Sequence, residues 1–308
     1  MQNSPIKIAV LGTINKDLIL PFEGASIQSF GGIYYSITTL SHLGQDHLEI
    51  IPISFVGEDA FSNLSALLEG YNNINRKALI EIDQKNHEVI LEYSSPDVRS
   101  EKALFKFPSL DWKNIKNHLN ADFYLVNMIT GWDLSLKAFL KLSKKHYQRM
   151  YLDVHFLVMG TDKLGNRFPE PPENIGPWLR GAKFVQMNEK EFDIINFAGV
   201  HESDFFEQNF NPDQILIITL ANKGAQIIFH KDSMIRNKHF PGFKLEKFSD
   251  STGCGDVFGA SFIWKYLSSN NLYSAIEYAN RAAGANCLLR GTSEMELLNE
   301  RMMLLKNG

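Results

Sequence analysis

The sequence predicts an α/β protein built on a mainly parallel sheet. Two observations carry this. Short β-branched apolar runs recur along the chain and read as buried strands. Amphipathic stretches separate several of them, the alternation expected when helices cover a parallel sheet.

In chain order the strand runs are Ile6 to Leu11, Ile50 to Phe55, Phe123 to Val126, Met150 to Val154, Phe184 to Met187, Ile215 to Leu220 and Ala225 to Phe229. The helical stretches between them are Ser36 to Leu43, Phe61 to Glu69, Leu134 to Lys144 and Trp178 to Gly181. Val257 to Leu267 is apolar nearly all round, which describes a helix buried on every side. The alternation breaks between Lys77 and Phe107, where polar-alternating strands follow one another with no helix between them. Strands with one wet face suit a small antiparallel lid. The expected division is therefore an α/β domain over 1–16, 31–76 and 108–308, with a discontinuous lid over 17–30 and 77–107. His155 to Pro177 is rich in Gly and Pro and shows no periodicity. A loop of that length inside a compact domain is expected to be functional or mobile.

Composition narrows the class. The chain has 308 residues, 44% of them hydrophobic, and a net charge of −4. That is ample for a core, but offers no basic surface for nucleic acid or anionic lipid. No apolar run approaches the ~18 residues of a membrane span. The start, MQNSPIKIAVLG, reads as a strand rather than a signal peptide. Two cysteines, Cys254 and Cys287, are too few for a disulfide framework. A cytoplasmic enzyme or binding protein is the expectation.

The informative stretch is Asp250-Ser-Thr-Gly-Cys-Gly-Asp256, directly before the buried helix. Its glycine-rich turn can aim the backbone N–H groups of Gly253, Cys254 and Gly255 outward at the positive end of the helix dipole, an anion site. A carboxylate at Asp256 would weaken anion binding there unless it removes a proton from a nucleophile beside the electrophile. Anion hole plus adjacent base is the logic of phosphoryl transfer to an alcohol. The plain alternative is a helix cap on a glycine turn.

This run resembles the Asp-Thr-x-Gly-Ala-Gly-Asp signature of the ribokinase-like, or PfkB, family of sugar kinases, and further motifs follow in family order. Gly12-Thr-Ile-Asn-Lys-Asp17 resembles its first strand and substrate turn, and Phe30-Gly31-Gly32 its Gly-Gly motif. Asn188-Glu-Lys-Glu191 resembles its Asn-x-x-Glu, and Thr219-Leu-Ala-Asn-Lys-Gly224 its nucleotide turn. The resemblance implies a ribokinase-like fold and an ATP-dependent kinase acting on a hydroxymethyl group of a small sugar or polyol. A nucleoside kinase is the alternative within enzymes, and a non-catalytic sugar or nucleotide sensor the alternative outside them.

By the same resemblance Asp256 is the general base, and the 253–255 backbone holds charge on the transferred group. Asn15 and Asp17 bind acceptor hydroxyls, while Gly31 and Gly32 let the acceptor approach the backbone. Thr219, Lys223 and Gly224 form the nucleotide turn. Asn188 and Glu191 offer oxygen ligands that suit Mg²⁺ held largely through water, or else simply cap a helix. Asp250 and Thr252 occupy positions that flank a monovalent cation such as K⁺ in some relatives.

Several features depart from the pattern or stand outside it. Ile33 and Ser36 replace the Lys and Asn of ribokinase proper, which argues against ribose. Ala221 stands where the nucleotide turn expects Gly. Cys254 replaces Ala and reads as a small buried hydrophobe. His155 either faces the acceptor site or, on the favoured reading, sits satisfied in the core, and Arg167 and Lys163 read as solvated charge unless the long loop folds over the site to meet phosphate. The 17–31 stretch is shorter than in ribokinase, so a homodimer through paired lids is left open.

Overall fold

The computed structural model describes residues 4–95, 98–245 and 251–305. The chain runs β1 (Ile6–Leu11), β2 (Ile14–Leu20), β3 (Ile27–Gly32), α1 (Ile33–Gly44), β4 (Leu48–Gly57), α2 (Glu58–Glu69), β5 (Leu79–Ile82), β6 (Glu88–Ser95) and β7 (Val98–Leu104). It continues through α3 (Trp112–Ile115), β8 (Phe123–Asn127), α4 (Leu136–His146), β9 (Met150–Asp153), β10 (Met159–Thr161), β11 (Arg167–Pro169) and α5 (Ile175–Leu179). Then come β12 (Phe184–Asn188), α6 (Glu189–Ile195), α7 (Glu202–Asn209), β13 (Ile215–Thr219), β14 (Gly224–Lys231), β15 (Met234–Pro241), α8 (Cys254–Ser269), α9 (Leu272–Asn286) and α10 (Leu298–Leu304).

A nine-stranded sheet in the order β15-β14-β13-β12-β9-β8-β1-β4-β5 forms the frame. Every pairing from β13 to β5 is parallel, and the β13-β14-β15 edge is antiparallel. Alternate residues of each strand feed two separate cores. Ala9, Leu11, Val126, Leu152 and Val185 pack under Phe139, Leu142 and Phe206 on one face. Ile8, Val10, Leu125, Tyr151 and Phe184 pack under Ile37, Leu40, Phe258 and Phe262 on the other. Both faces of the parallel strands are covered, as their near-continuous apolar sequence requires.

The chain leaves β1 in one direction toward β4 and in the other toward β8, so the sheet order reverses at β1. In open α/β sheets ligands bind outside the carboxyl ends of the strands at such a reversal. Asn127, Asp153, Asn188 and Thr219 are the last residues of β8, β9, β12 and β13, and all end at that rim.

A second sheet, β3-β2-β6-β7, stands over it. Asp17 pairs with Val89 and Val89 with Ala103, while Ile19 pairs with Leu91 and Leu91 with Glu101. Directly paired residues share a face, so Asp17, Ile19, Val89, Leu91, Glu101 and Ala103 line one side of this lid.

Two expectations need correction. Leu79–Ile82, expected in the lid, pairs with β4 at the edge of the large sheet, because α2 brings the chain back parallel and buries Ala78 in the core. The 155–177 segment is also not a featureless loop. Residues 159–169 form the hairpin β10-β11, closed by Asp162, whose carboxylate accepts from the amides of Leu164 and Asn166 at 2.8 and 2.9 Å. Its tip docks on the lid: the Ala103 N–H donates to the Gly165 carbonyl at 2.9 Å, and Lys102 bridges Asn166. Period-based reading misses a hairpin with strands of three residues. Among the described residues no helix is long and apolar enough to cross a membrane.

Candidate active site

Gly253 caps α8 with a left-handed backbone, φ +75°, and a β-carbon there would collide with the Tyr35 ring. Only glycine allows both the turn and the close packing of α1 on α8. The Cys254 N–H closes the turn on the Ser251 carbonyl at 3.2 Å, so of the three amides expected to face an anion this one is engaged; among the described residues those of Gly253 and Gly255 make no such bond. Cys254 is half-buried rather than core. Its thiol lies 3.4 Å from the Ala283 carbonyl and 3.2 Å from the Cys287 sulfur. Thr252 accepts from the Asn286 amide through its carbonyl at 2.9 Å. Asp250 lies outside the described residues.

Asp256 follows in the first turn of α8, 7% exposed. The Asn127 side chain donates to its carboxylate at 2.6 Å. Burial pushes the carboxyl up to about 6, against the opposing pull of His155 and the Asn127 hydrogen bond.

Sequence reading missed most of what surrounds it. Asp153 at the end of β9 is buried; Gln186 donates to it at 2.8 Å and to the Gly255 carbonyl at 3.1 Å, and in turn accepts from Tyr151 at 2.6 Å. Gln186 thereby ties the glycine turn to two strands. Burial drives the Asp153 carboxyl well above its usual range, with His155 opposing and Glu191 and Asp256 adding to the rise. A polar residue at the end of an otherwise apolar run was the available signal for Asn127 and Asp153.

His155 is not a satisfied core residue. It has φ +40°, a conformation rare outside glycine, and its half-buried ring lies 3.8 Å from Glu191. Burial works against its charged form, but Glu191, Asp256 and Asp153 outweigh that and raise it to about 10.

Asn188 and Glu191 form a reciprocal capping box on α6: the Glu191 amide donates to Asn188 at 2.9 Å, and the Asn188 amide donates back at 2.8 Å. The plain helix-cap alternative is therefore present, and both Glu191 oxygens are engaged by Asn188. Among the described residues no group of three His, Cys, Asp or Glu is set to hold a metal directly. A divalent cation held through water would sit among Asp153, Glu191 and Asp256, beside the His155 cation that already answers part of their charge.

Asn188 pairs with Thr219 in the sheet, which sets the β13-β14 turn beside the box. Ala221 is held at φ +51° where glycine was expected, and Gly224 at φ +100°. A β-carbon on Gly224 would strike the Phe240 carbonyl. Lys223 reaches Glu189 at 3.2 Å.

On the lid side Asn15 donates to Asp17 at 2.6 Å, and both are buried. The space beside Gly31 and Gly32 is filled by the Asp17 carboxylate and the Asn15 amide, so these glycines make room for those side chains rather than for a ligand. The Ser36 hydroxyl bonds the Asp256 carbonyl at 3.5 Å, linking the start of α1 to that of α8.

The family model of pfkB family carbohydrate kinases matches residues 38–298. The chain belongs to the pfkB family. Solved structures similar to it include ribokinase from Thermotoga maritima, at 18% identity and TM-score 0.71, covering 97% of this chain and 98% of that one. The nucleoside kinase of Methanocaldococcus jannaschii is similar at 18% identity and TM-score 0.70, covering 98% and 99%. A pyrophosphate-dependent kinase of the ribokinase family, complexed with a pyrophosphate analog and myo-inositol, is similar at 15% identity and TM-score 0.72, covering 91% and 94%. At these identities they establish the ribokinase-like fold. No curated protein matches the chain in sequence. Membership supports a kinase with an alcohol acceptor; the acceptor itself is a separate question.

Proposed function

We propose that this pfkB kinase transfers the γ-phosphate of ATP to a hydroxymethyl group of a small sugar or related polyol, with Asp256 as general base. The observation that carries the reading is a buried carboxylate on the first turn of α8, beside a glycine cap, with its acidity moved to about 6. A base works best when its pKa lies near the operating pH.

Asn127 holds the Asp256 carboxylate in place, and Gln186 holds the turn beneath it. The amides of Gly253 and Gly255 and the positive end of α8 steady charge on the transferred group. Positioning and electrostatics carry such a transfer. Mg²⁺, held through water near Glu191 and Asp153, would neutralise phosphate charge when bound. Asn15 and Asp17 receive acceptor hydroxyls, and the Thr219–Gly224 turn receives the nucleotide. Thr252, with Asp250, is proposed for a monovalent cation only by the family resemblance.

A nucleoside acceptor is the second reading. A cavity of about 490 Å³ beside Asp17 carries the Phe30, Tyr34 and Tyr71 rings, which suit a base. None of the residues of the α8 turn lines that cavity, and Tyr35 is buried against Gly253, so the polyol reading comes first.

The test is ADP release from Mg-ATP across pentoses, hexoses, inositols and nucleosides, with Asp256→Asn beside the wild type. Acceptor-dependent release that the variant lacks supports the reading. Equal turnover by both removes Asp256 as base.

A further inference from the structure

Arg167, read from the sequence as solvated, is the most buried charge at the joint between hairpin and lid, its side chain 5% exposed. It comes from β11 and donates through Nη1 to the Thr130 carbonyl at 2.9 Å and to Thr161 at 3.0 Å. Its guanidinium lies over Phe156, 4.4 Å from the ring centre, and 5.2 Å from that of Trp132. Its Nε is 3.6 Å from Oε1 of Glu101 on the inner face of the lid. That is an ion pair too long for a hydrogen bond.

Around this pair several buried polar atoms have no hydrogen-bond partner among the described residues: Nε and Nη2 of Arg167, Nε1 of Trp132, Oε1 of Glu101 and Oδ1 of Asp133. Leaving so many unmet is costly, and native structures keep such atoms where a ligand or water completes them. The end of β8 and the residues after it connect this group to Asp256. Asn127 bonds Asp256, Ile129 sits against Gly32, and Thr130 accepts from Arg167.

The unmet set is mixed, with donors on Arg167 and Trp132 and acceptors on Glu101 and Asp133. Hydroxyl groups both donate and accept, so adjacent hydroxyls answer the whole set. A phosphate or carboxylate only accepts, and it would face two carboxylates here with Asp17 on the same side of the lid. The nearby His87 adds no charge, since burial lowers it to about 4. Lys106 lies over the Trp132 ring at 4.1 Å but is exposed, so among the buried groups one cation faces the carboxylates of Glu101 and Asp133.

We propose that Arg167 and Glu101 form the end of the acceptor site remote from Asp256 and select an uncharged acceptor bearing adjacent hydroxyls. The inference rests on the kinase reading above. The atoms are sealed while β7 sits on the hairpin tip, so the acceptor enters with the lid raised and is enclosed when Ala103 meets Gly165.

The experiment measures KM and kcat for D-ribose, D-fructose and myo-inositol, for 2-deoxy-D-ribose, and for sugar phosphates and D-gluconate. It uses wild type, Glu101→Gln, Arg167→Lys and Asp256→Asn, with thermal unfolding of each. The expected result is turnover of uncharged acceptors only. Glu101→Gln and Arg167→Lys should raise acceptor KM roughly 10- to 100-fold with kcat within about threefold, the size of a lost charge-assisted hydrogen bond. The same variants should lose any discrimination between a polyol and its deoxy analogue, which a purely structural role would not move. If Arg167→Lys does not fold, the near-isosteric Glu101→Gln carries the test. Preference for anionic acceptors, or an unchanged KM in folded variants while Asp256→Asn is inactive, overturns this subsite and leaves the kinase standing. Silence of the wild type with every acceptor overturns both.

Discussion

The turn before α8 and the hairpin at 159–169 are built in opposite ways. The turn is local: consecutive residues set its backbone, and Gly253 is dictated by φ +75° and by Tyr35. The hairpin joint is assembled: Arg167, Glu101 and the Thr130–Trp132 stretch arrive from separate segments and meet only in the folded chain. On the proposed reading the turn serves the reacting atoms and the joint serves acceptor selection. Damage at the turn should therefore appear in kcat, and damage on the lid side in acceptor KM.

The largest effect expected is from Asp256→Asn, a fall in kcat of roughly 10²- to 10⁴-fold, the usual weight of a general base. ATP binding by calorimetry should be nearly unchanged. The same variant should be more stable than wild type. A carboxyl raised to about 6 from a usual value near 4 binds its proton more tightly folded than unfolded, so stability falls as pH rises from about 4 to about 6 and stays lower above it. Removing the charge recovers up to roughly 3 kcal/mol at pH 7.5, readable in denaturant melts. Wild-type kcat/KM should correspondingly fall on the acid side of a limb near pH 6.

Gly253→Ala should cost about 2–4 kcal/mol, combining left-handed strain with the Tyr35 collision, and should lower kcat as well. If it lost only stability, the turn would be a mere cap. Asp17→Ala should raise acceptor KM about tenfold or more and spare kcat, which sharpens the contrast between turn and lid; an unchanged KM would move the acceptor elsewhere. The smallest effect belongs to Ala221→Gly. Relief of φ +51° should stabilise the protein by about 1 kcal/mol in thermal melts, with activity retained.

What was legible followed the same division. The parallel strands were readable because burial on both faces leaves an apolar run, and the Gly253 turn because it is written in consecutive residues. For the Asn188–Glu191 pair, read as Mg²⁺ ligands with a helix cap as the alternative, the structure has the capping box. Asn127, Asp153 and Gln186 were passed over because each is one polar residue at or near the end of an apolar strand, and only strand order makes them neighbours. His155 and Arg167 were misread for a related reason. Their surroundings are supplied by Glu191 and Glu101, distant in sequence, and a charge in a Gly- and Pro-rich stretch looks solvated until the lid covers it.

The central claim is that Asp256 takes the proton of an acceptor alcohol. The most direct measurement is the pH dependence of acceptor-stimulated ADP release from Mg-ATP, in wild type and Asp256→Asn, using the acceptor the wild type turns over best. The account predicts a wild-type acid limb near pH 6 and, in the variant, a rate lower by 10² or more with that limb gone. A variant that keeps the wild-type rate and the same limb would contradict it.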